Sequence, residues 1–272
     1  MYAYKPKKFY LTVFGLTWLF WILAIIFNEG TSLYIFMLLG LLMPATTTIV
    51  TVLTSKNQAL KDDFKRKLIG FYRIKPLNIL LAVAIFAMIV TSSIGISILF
   101  GGSTKQFAFT EDFSFSIGGA SALLTILVAS TIEELGWRGY GEDAVGAYHS
   151  WFTESIIFGC IWAFWHLPLF WIPGTYQYGL HKMGVLYVLN FLLSVIPLDF
   201  LQTWVYVKNN RSMLATIIFH LFINIMQEKI AMTPETKCIE TLVVAITAVI
   251  IVLTNKELFF EKKHIGRLLE HH

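Results

Sequence analysis

The sequence predicts an all-α fold that crosses a membrane about eight times, and three observations carry that prediction. Of 272 residues, 56% are hydrophobic and only 14% are charged, with a mean hydropathy of +0.67. Soluble domains have roughly 45–50% apolar and about 25% charged residues. The apolar residues are gathered into runs of about 20, the length a helix needs to cross a bilayer. The basic residues, finally, sort between alternate loops.

The first run, Tyr10 to Phe27, follows Lys5, Lys7 and Lys8 and has no small-residue cleavage site, so it is read as a retained anchor. Leu33 to Leu53 and Leu77 to Phe100 follow. The fourth run, Ile117 to about Leu135, ends in acidic residues. Trp151 to Ile172 is the fifth, which Pro168 and Pro173 should bend or end. Met183 to Val207, Met213 to Met226 and Cys238 to Leu253 complete the set. Pro44 and Pro197 are expected to kink their helices. Between the second and third runs, Ser55 to Lys75 mixes Leu60, Phe64, Leu68, Ile69 and Phe71 with charges. It is either an amphipathic helix on the cytoplasmic leaflet or a solvated basic loop.

With both termini placed in the cytoplasm, the N-terminal lysines, the Lys56 to Lys75 cluster, Arg138, Lys208, Arg211 and the Lys256 to Arg267 tail all fall inside. Only Lys105, Lys182, Lys229 and Lys237 fall outside. This asymmetry is what an N-in, C-in protein requires, and it accounts for the net charge of +4 without a nucleic-acid partner. Cys160 and Cys238 give neither a disulfide framework nor a metal pair. No boundary divides the chain, so residues 1–268 are expected to form a single transmembrane domain whose motif-bearing core covers about 117–227. Residues 269–272, Leu-Glu-His-His, look like the remnant of a cloning site and histidine tag.

Ionisable residues inside spans are costly and mark functional sites. Three clusters qualify. Glu133, Glu134 and Arg138 close the fourth span, His166 lies in the fifth, and His220 and Asn224 lie in the seventh. Glu134 and Arg138 are four residues apart, the spacing of a helical ion pair. Glu133 is left on another face without a local cation, in apolar surroundings that should raise its pKa and suit it to general-base work. His220 and Asn224 share one helix face. At a rise of about 1.5 Å per residue, Glu133 lies about 24 Å into a core about 30 Å thick, while His166 and His220 lie roughly 16 and 13 Å from the cytoplasmic side. One polar intramembrane cavity, open to the cytoplasm, is therefore expected. Glu154, Asp199, Gln202, Asn190 and Glu240 are assigned structural roles, with Asp199 the one most apt to support the site.

At these residues the sequence resembles the CAAX protease and bacteriocin-processing family, of the type II CAAX prenyl protease (Ras-converting enzyme) kind. The family's E-E-x-x-x-R is matched by Glu133, Glu134 and Arg138, its F-x-x-x-H by Trp162 to His166, and its H-x-x-x-N by His220 to Asn224. The motifs stand in the family's order, on separate spans. Trp162 replaces the usual Phe and is read as a packing variation.

The resemblance implies an intramembrane endopeptidase that removes the last three residues of prenylated CAAX proteins, with farnesyl or geranylgeranyl on the cysteine. In the first of two mechanisms it allows, Glu133 and His166 activate a water, His220 and Asn224 form the oxyanion hole, and Glu134 with Arg138 braces them. In the second, the histidines and a glutamate bind Zn2+. The metal-free route is preferred, because there is no H-E-x-x-H and an Asn amide is a poor zinc ligand. The rival readings are a proton-coupled transporter, which should show repeats or paired half-helices, and a non-catalytic scaffold or bacteriocin-immunity protein of the same fold.

Overall fold

The computed structural model describes residues 2–70, 74–110 and 122–260, and among these the fold is helical apart from one isolated bridge between Phe109 and Ile230. The helices are α1 (Pro6–Ile26), α2 (Gly30–Thr54), α3 (Gln58–Leu68), α4 (Pro76–Leu99), α5 (Ala122–Gly136), α6 (Glu142–Gly146), α7 (Trp151–Trp165), α8 (Tyr176–Met183), α9 (Val185–Lys208), α10 (Met213–Lys229), α11 (Pro234–Thr254) and α12 (Lys256–Phe260). Their starts follow local chemistry. Proline opens α1, α4 and α11, where a missing N–H costs nothing. Ser150, Thr175, Ser212 and Thr233 cap α7, α8, α10 and α11 by accepting a backbone N–H.

Among the described residues, six segments are long and apolar enough to cross a membrane: α1, α2, α4, α7 with its 3-10 extension to Trp171, α9 and α11. Together they make a polytopic all-α membrane protein. The other two predicted runs also hold helices, α5 of 15 residues and α10 of 17. The predicted start of the fourth run at Ile117 and the tail 269–272 lie outside the described residues. Leu11, Leu77 and Val185 expose 73–75% of their surface, a waste in water but the expected state of a side chain facing lipid.

The fourth run does not end near Leu135. It passes from α5 through a π-helical turn, Trp137–Gly141, into α6 and reaches Gly146 without a break. Such turns insert a residue into the helical ladder and recur at functional sites. Gly136 has a positional reason: a Cβ there would lie 2.4 Å from the Pro44 side chain and 2.6 Å from its backbone. The close approach lets Thr48 Oγ1 donate to the Gly136 carbonyl at 2.9 Å. Helices α2 and α9 run on through Pro44 and Pro197, and α7 gives way to a 3-10 turn at Leu167–Trp171 around Pro168.

Hydrogen bonds define the two ends of the bundle. At one, Lys5 meets Tyr140, Tyr148 meets Tyr4, Asn78 meets Lys208 and Ser212 meets Gly70. This is the end rich in lysine and arginine. At the other, residues 106–110 pair with Lys229, Ala231 and Thr233, and Tyr187 donates to Glu235.

Helix α3 is neither a free surface helix nor a solvated loop. Leu60, Asp63 and Lys67 turn into the protein, and Lys67, counted above as a topology charge, is 1% exposed. Its ammonium donates to the carbonyls of Arg138 and Gly139 at 3.0 and 2.8 Å and to Asp143 at 2.6 Å. Arg211, on the α9–α10 turn with a φ of 60°, pairs with Asp63 at 3.0 and 2.7 Å and also contacts Asp143. Burial opposes its charge, but Asp143, Tyr206 and Asp63 overcome this and hold its pKa well above the ordinary guanidinium value.

Candidate active site

Helix α5 supplies two adjacent carboxylates that part company around its axis, as neighbours on a helix must. Glu133 Oε2 accepts a hydrogen bond from the Trp162 indole Nε1 at 3.1 Å. Trp162 is therefore more than a packing variation, since a phenylalanine has no hydrogen to donate. His166 stands at the C-terminal end of α7, with Nδ1 2.7 Å from the Trp162 carbonyl. A carbonyl can only accept, so Nδ1 carries the hydrogen and, in the neutral ring, Nε2 keeps its lone pair.

Glu134 turns the other way, toward α10. Its Oε1 lies 2.8 Å from His220 Nδ1 and 3.3 Å from Arg138 Nη1. The anticipated Glu134–Arg138 pair is present, and it also orients a histidine. One turn beyond His220, Asn224 Nδ2 donates to Ser130 Oγ on α5 at 3.1 Å. Thus both α10 groups are braced from α5.

Arg138, 0% exposed, is the hub behind them. Besides Glu134, its guanidinium lies 2.7 Å from Asp199 Oδ1 on α9 and 2.7 Å from Glu142 Oε2 on α6. Its face rests on the rings of Phe158 and Trp162, 5.0 and 5.5 Å from their centroids. Asp199 was the polar residue singled out in the sequence, and the structure ties it to Arg138. Glu142 was missed. It sits four residues after Arg138, the same spacing that revealed Glu134, and was hidden by reading the span as ended. Glu154, assigned a structural role above, is 0% exposed. Asn190 donates to the Lys237 carbonyl and Glu240 accepts from Gln227 at 2.7 Å, so both have partners.

Glu133, His166, His220 and Asn224 line one cavity of about 300 Å³. Glu134 and Arg138 do not line it and act from behind its wall. The cavity has an apolar wing, with Tyr34, Met37, Leu38 and Leu41 of α2 and Ile126 of α5, and a polar wing with Gln177, Asn190, Gln227, Lys237 and Glu240. The polar wing belongs to the end of the bundle away from the basic loops. Toward the basic end, Trp137, Arg138, Tyr140 and Glu142, which follow Glu133 in the chain, are buried and do not line the cavity.

Glutamate, histidine and asparagine side chains gathered from several membrane helices onto one partly open pocket make a site of the kind an intramembrane hydrolase needs. The sequence profile of the family described as type II CAAX prenyl endopeptidase Rce1-like matches residues 116–226. CAAX prenyl protease 2 of Methanococcus maripaludis is 39% identical over 265 residues, which cover 96% of this chain and 98% of that relative. The chain belongs to the type II CAAX prenyl endopeptidase family and is a protease.

Proposed function

We propose that this protein removes the C-terminal tripeptide from prenylated CAAX proteins, using water activated by Glu133. The observation that carries this reading is the convergence of Glu133, His166, His220 and Asn224 on one cavity that also has an apolar wing. Burying an isoprenoid there at about 25 cal/mol per Å² supplies binding energy that a short peptide lacks.

In the proposed reaction, Glu133 takes a proton from a water that also donates to the bare Nε2 of His166. The hydroxide oxygen adds to the scissile carbonyl carbon. The resulting oxyanion accepts hydrogen bonds from Asn224 Nδ2 and from His220 Nε2, which donates when the ring is doubly protonated against Glu134. Collapse breaks the C–N bond, and Glu133 passes its proton to the departing amine. No metal is assigned a role. One observation supports this: among the described residues, no group of three or more His, Cys, Asp or Glu is placed to hold a metal ion.

Purified protein in detergent is expected to release the last three residues of a farnesylated CAAX peptide as one tripeptide, read by mass spectrometry. An intact peptide after incubation with folded protein would return the chain to the scaffold reading.

We also propose that both termini face the cytoplasm, on the strength of the basic loops gathered at one end. In that orientation the polar wing lies in the outer half of the bundle, and the prenylated tail reaches the site sideways from lipid, past the exposed Leu38 of α2 and Leu123 and Leu127 of α5. A single cysteine at exposed position 182, in a Cys160→Ser, Cys238→Ser background, should react with an impermeant maleimide from outside intact cells. Labelling only after lysis would turn the cavity end to the cytoplasm.

A further inference from the structure

The polar wing contains one feature that the cleavage chemistry leaves unused. Among the described residues, Lys237 is the sole lysine or arginine in the cavity wall. Glu228 and Glu240 share that wall; Glu240, three positions on in α11, accepts from Gln227 Nε2 at 2.7 Å and feels the charge of Lys237, but no carboxylate of the described residues forms an ion pair with Lys237 within 4 Å. The Lys237 ammonium is nevertheless fixed in place. It donates one hydrogen to the Gln227 carbonyl at 3.1 Å and rests 4.6 Å from the centroid of the Tyr176 ring. Two of its three hydrogens remain available.

The position of this cation along α10 is informative. Gln227 lies one turn past Asn224 and about 10 Å of helix rise past His220. An extended tripeptide spans about 10 Å. From a scissile carbonyl between His220 and Asn224, Gln227 lies about 5–10 Å farther along α10, within the reach of an extended tripeptide, so its terminal carboxylate can be brought to the level of Lys237.

Resting on the proteolysis proposed above, we infer that Lys237 is a subsite for the free α-carboxylate of the substrate's last residue, fixing the cut three residues from the chain end. The ammonium is fixed by the Gln227 carbonyl and the Tyr176 ring before substrate arrives, so little ordering cost opposes the ion pair. The subsite makes the enzyme a reader of chain ends as well as of prenyl groups.

The test compares farnesylated peptides ending in a free acid and in a carboxamide, with wild type, Lys237→Gln and Lys237→Arg. Wild type should favour the acid by about ten- to hundred-fold in kcat/KM, the scale of one charge-assisted hydrogen bond. Lys237→Gln, which keeps a donor for the Gln227 carbonyl, should erase that preference mainly through KM, and Lys237→Arg should restore part of it. Equal cleavage of acid and amide by wild type, or an unchanged preference in Lys237→Gln, overturns the subsite while leaving the proteolysis intact. No cleavage of either peptide by folded wild type overturns the proteolysis and the subsite with it.

Discussion

Glu133→Gln is expected to abolish tripeptide release while leaving the protein folded and able to bind farnesylated peptide. The substitution keeps the size of the side chain and an oxygen for the Trp162 indole, now 3.1 Å from the carboxylate, so little packing changes. It removes the one atom in the proposed scheme that takes a proton from water. General-base groups contribute about 10²–10⁴-fold, and a fall in kcat of that size at nearly constant KM is the expected signature. The same assay run with a strong zinc chelator should leave wild-type cleavage untouched. Activity lost on chelation and restored by zinc would transfer activation of the water to a metal, and full activity in Glu133→Gln would remove Glu133 from the reaction.

The second large effect is on the fold. Arg138→Gln should lower thermal stability by about 10 °C or more, because Glu134, Glu142 and Asp199 would lose the cation they share. Breaking a buried ion pair from one side costs roughly 3–5 kcal/mol, a large part of a typical stability. Arg138→Lys should recover little, since an ammonium is a point charge and cannot span three carboxylates on different helices. Thermal unfolding followed by size-exclusion chromatography in detergent checks this. A wild-type melting temperature in Arg138→Gln would show that those carboxylates do not depend on it.

The parts of this architecture legible in the sequence are those written locally. Runs of about 20 apolar residues gave the helices because a bilayer imposes that length. Four-residue spacings gave Glu134–Arg138 and the shared face of His220 and Asn224 because the helix imposes that period. The hydrogen bond from Trp162 to Glu133 joins positions 29 apart, and Lys67 reaches Asp143 across 76, so no local pattern announces either. Lys67 and Arg211 were counted as topology charges because loop composition records that a cation is present but not whether it is buried. The length of the fourth helix was underestimated for a different reason. Gly136, Gly139 and Gly141 look like a helix end, and only the neighbouring Pro44 shows that Gly136 is there to let two helices touch.

The unbroken stretch from Ala122 to Gly146 has a consequence for how the protein is made. It carries Glu133, Glu134, Arg138, Glu142 and Asp143, and a charged side chain at the centre of a lone inserting helix costs roughly 2.5–3.5 kcal/mol. As it leaves the ribosome this segment is a poor candidate for membrane insertion. Lys67, which pairs with Asp143, is made earlier, but Asp199, Arg211 and His220, the partners of Arg138, Asp143 and Glu134, are synthesised later. Full pairing of this helix therefore waits until α9 and α10 emerge, so the C-terminal half of the chain completes the seating of its middle in the bilayer.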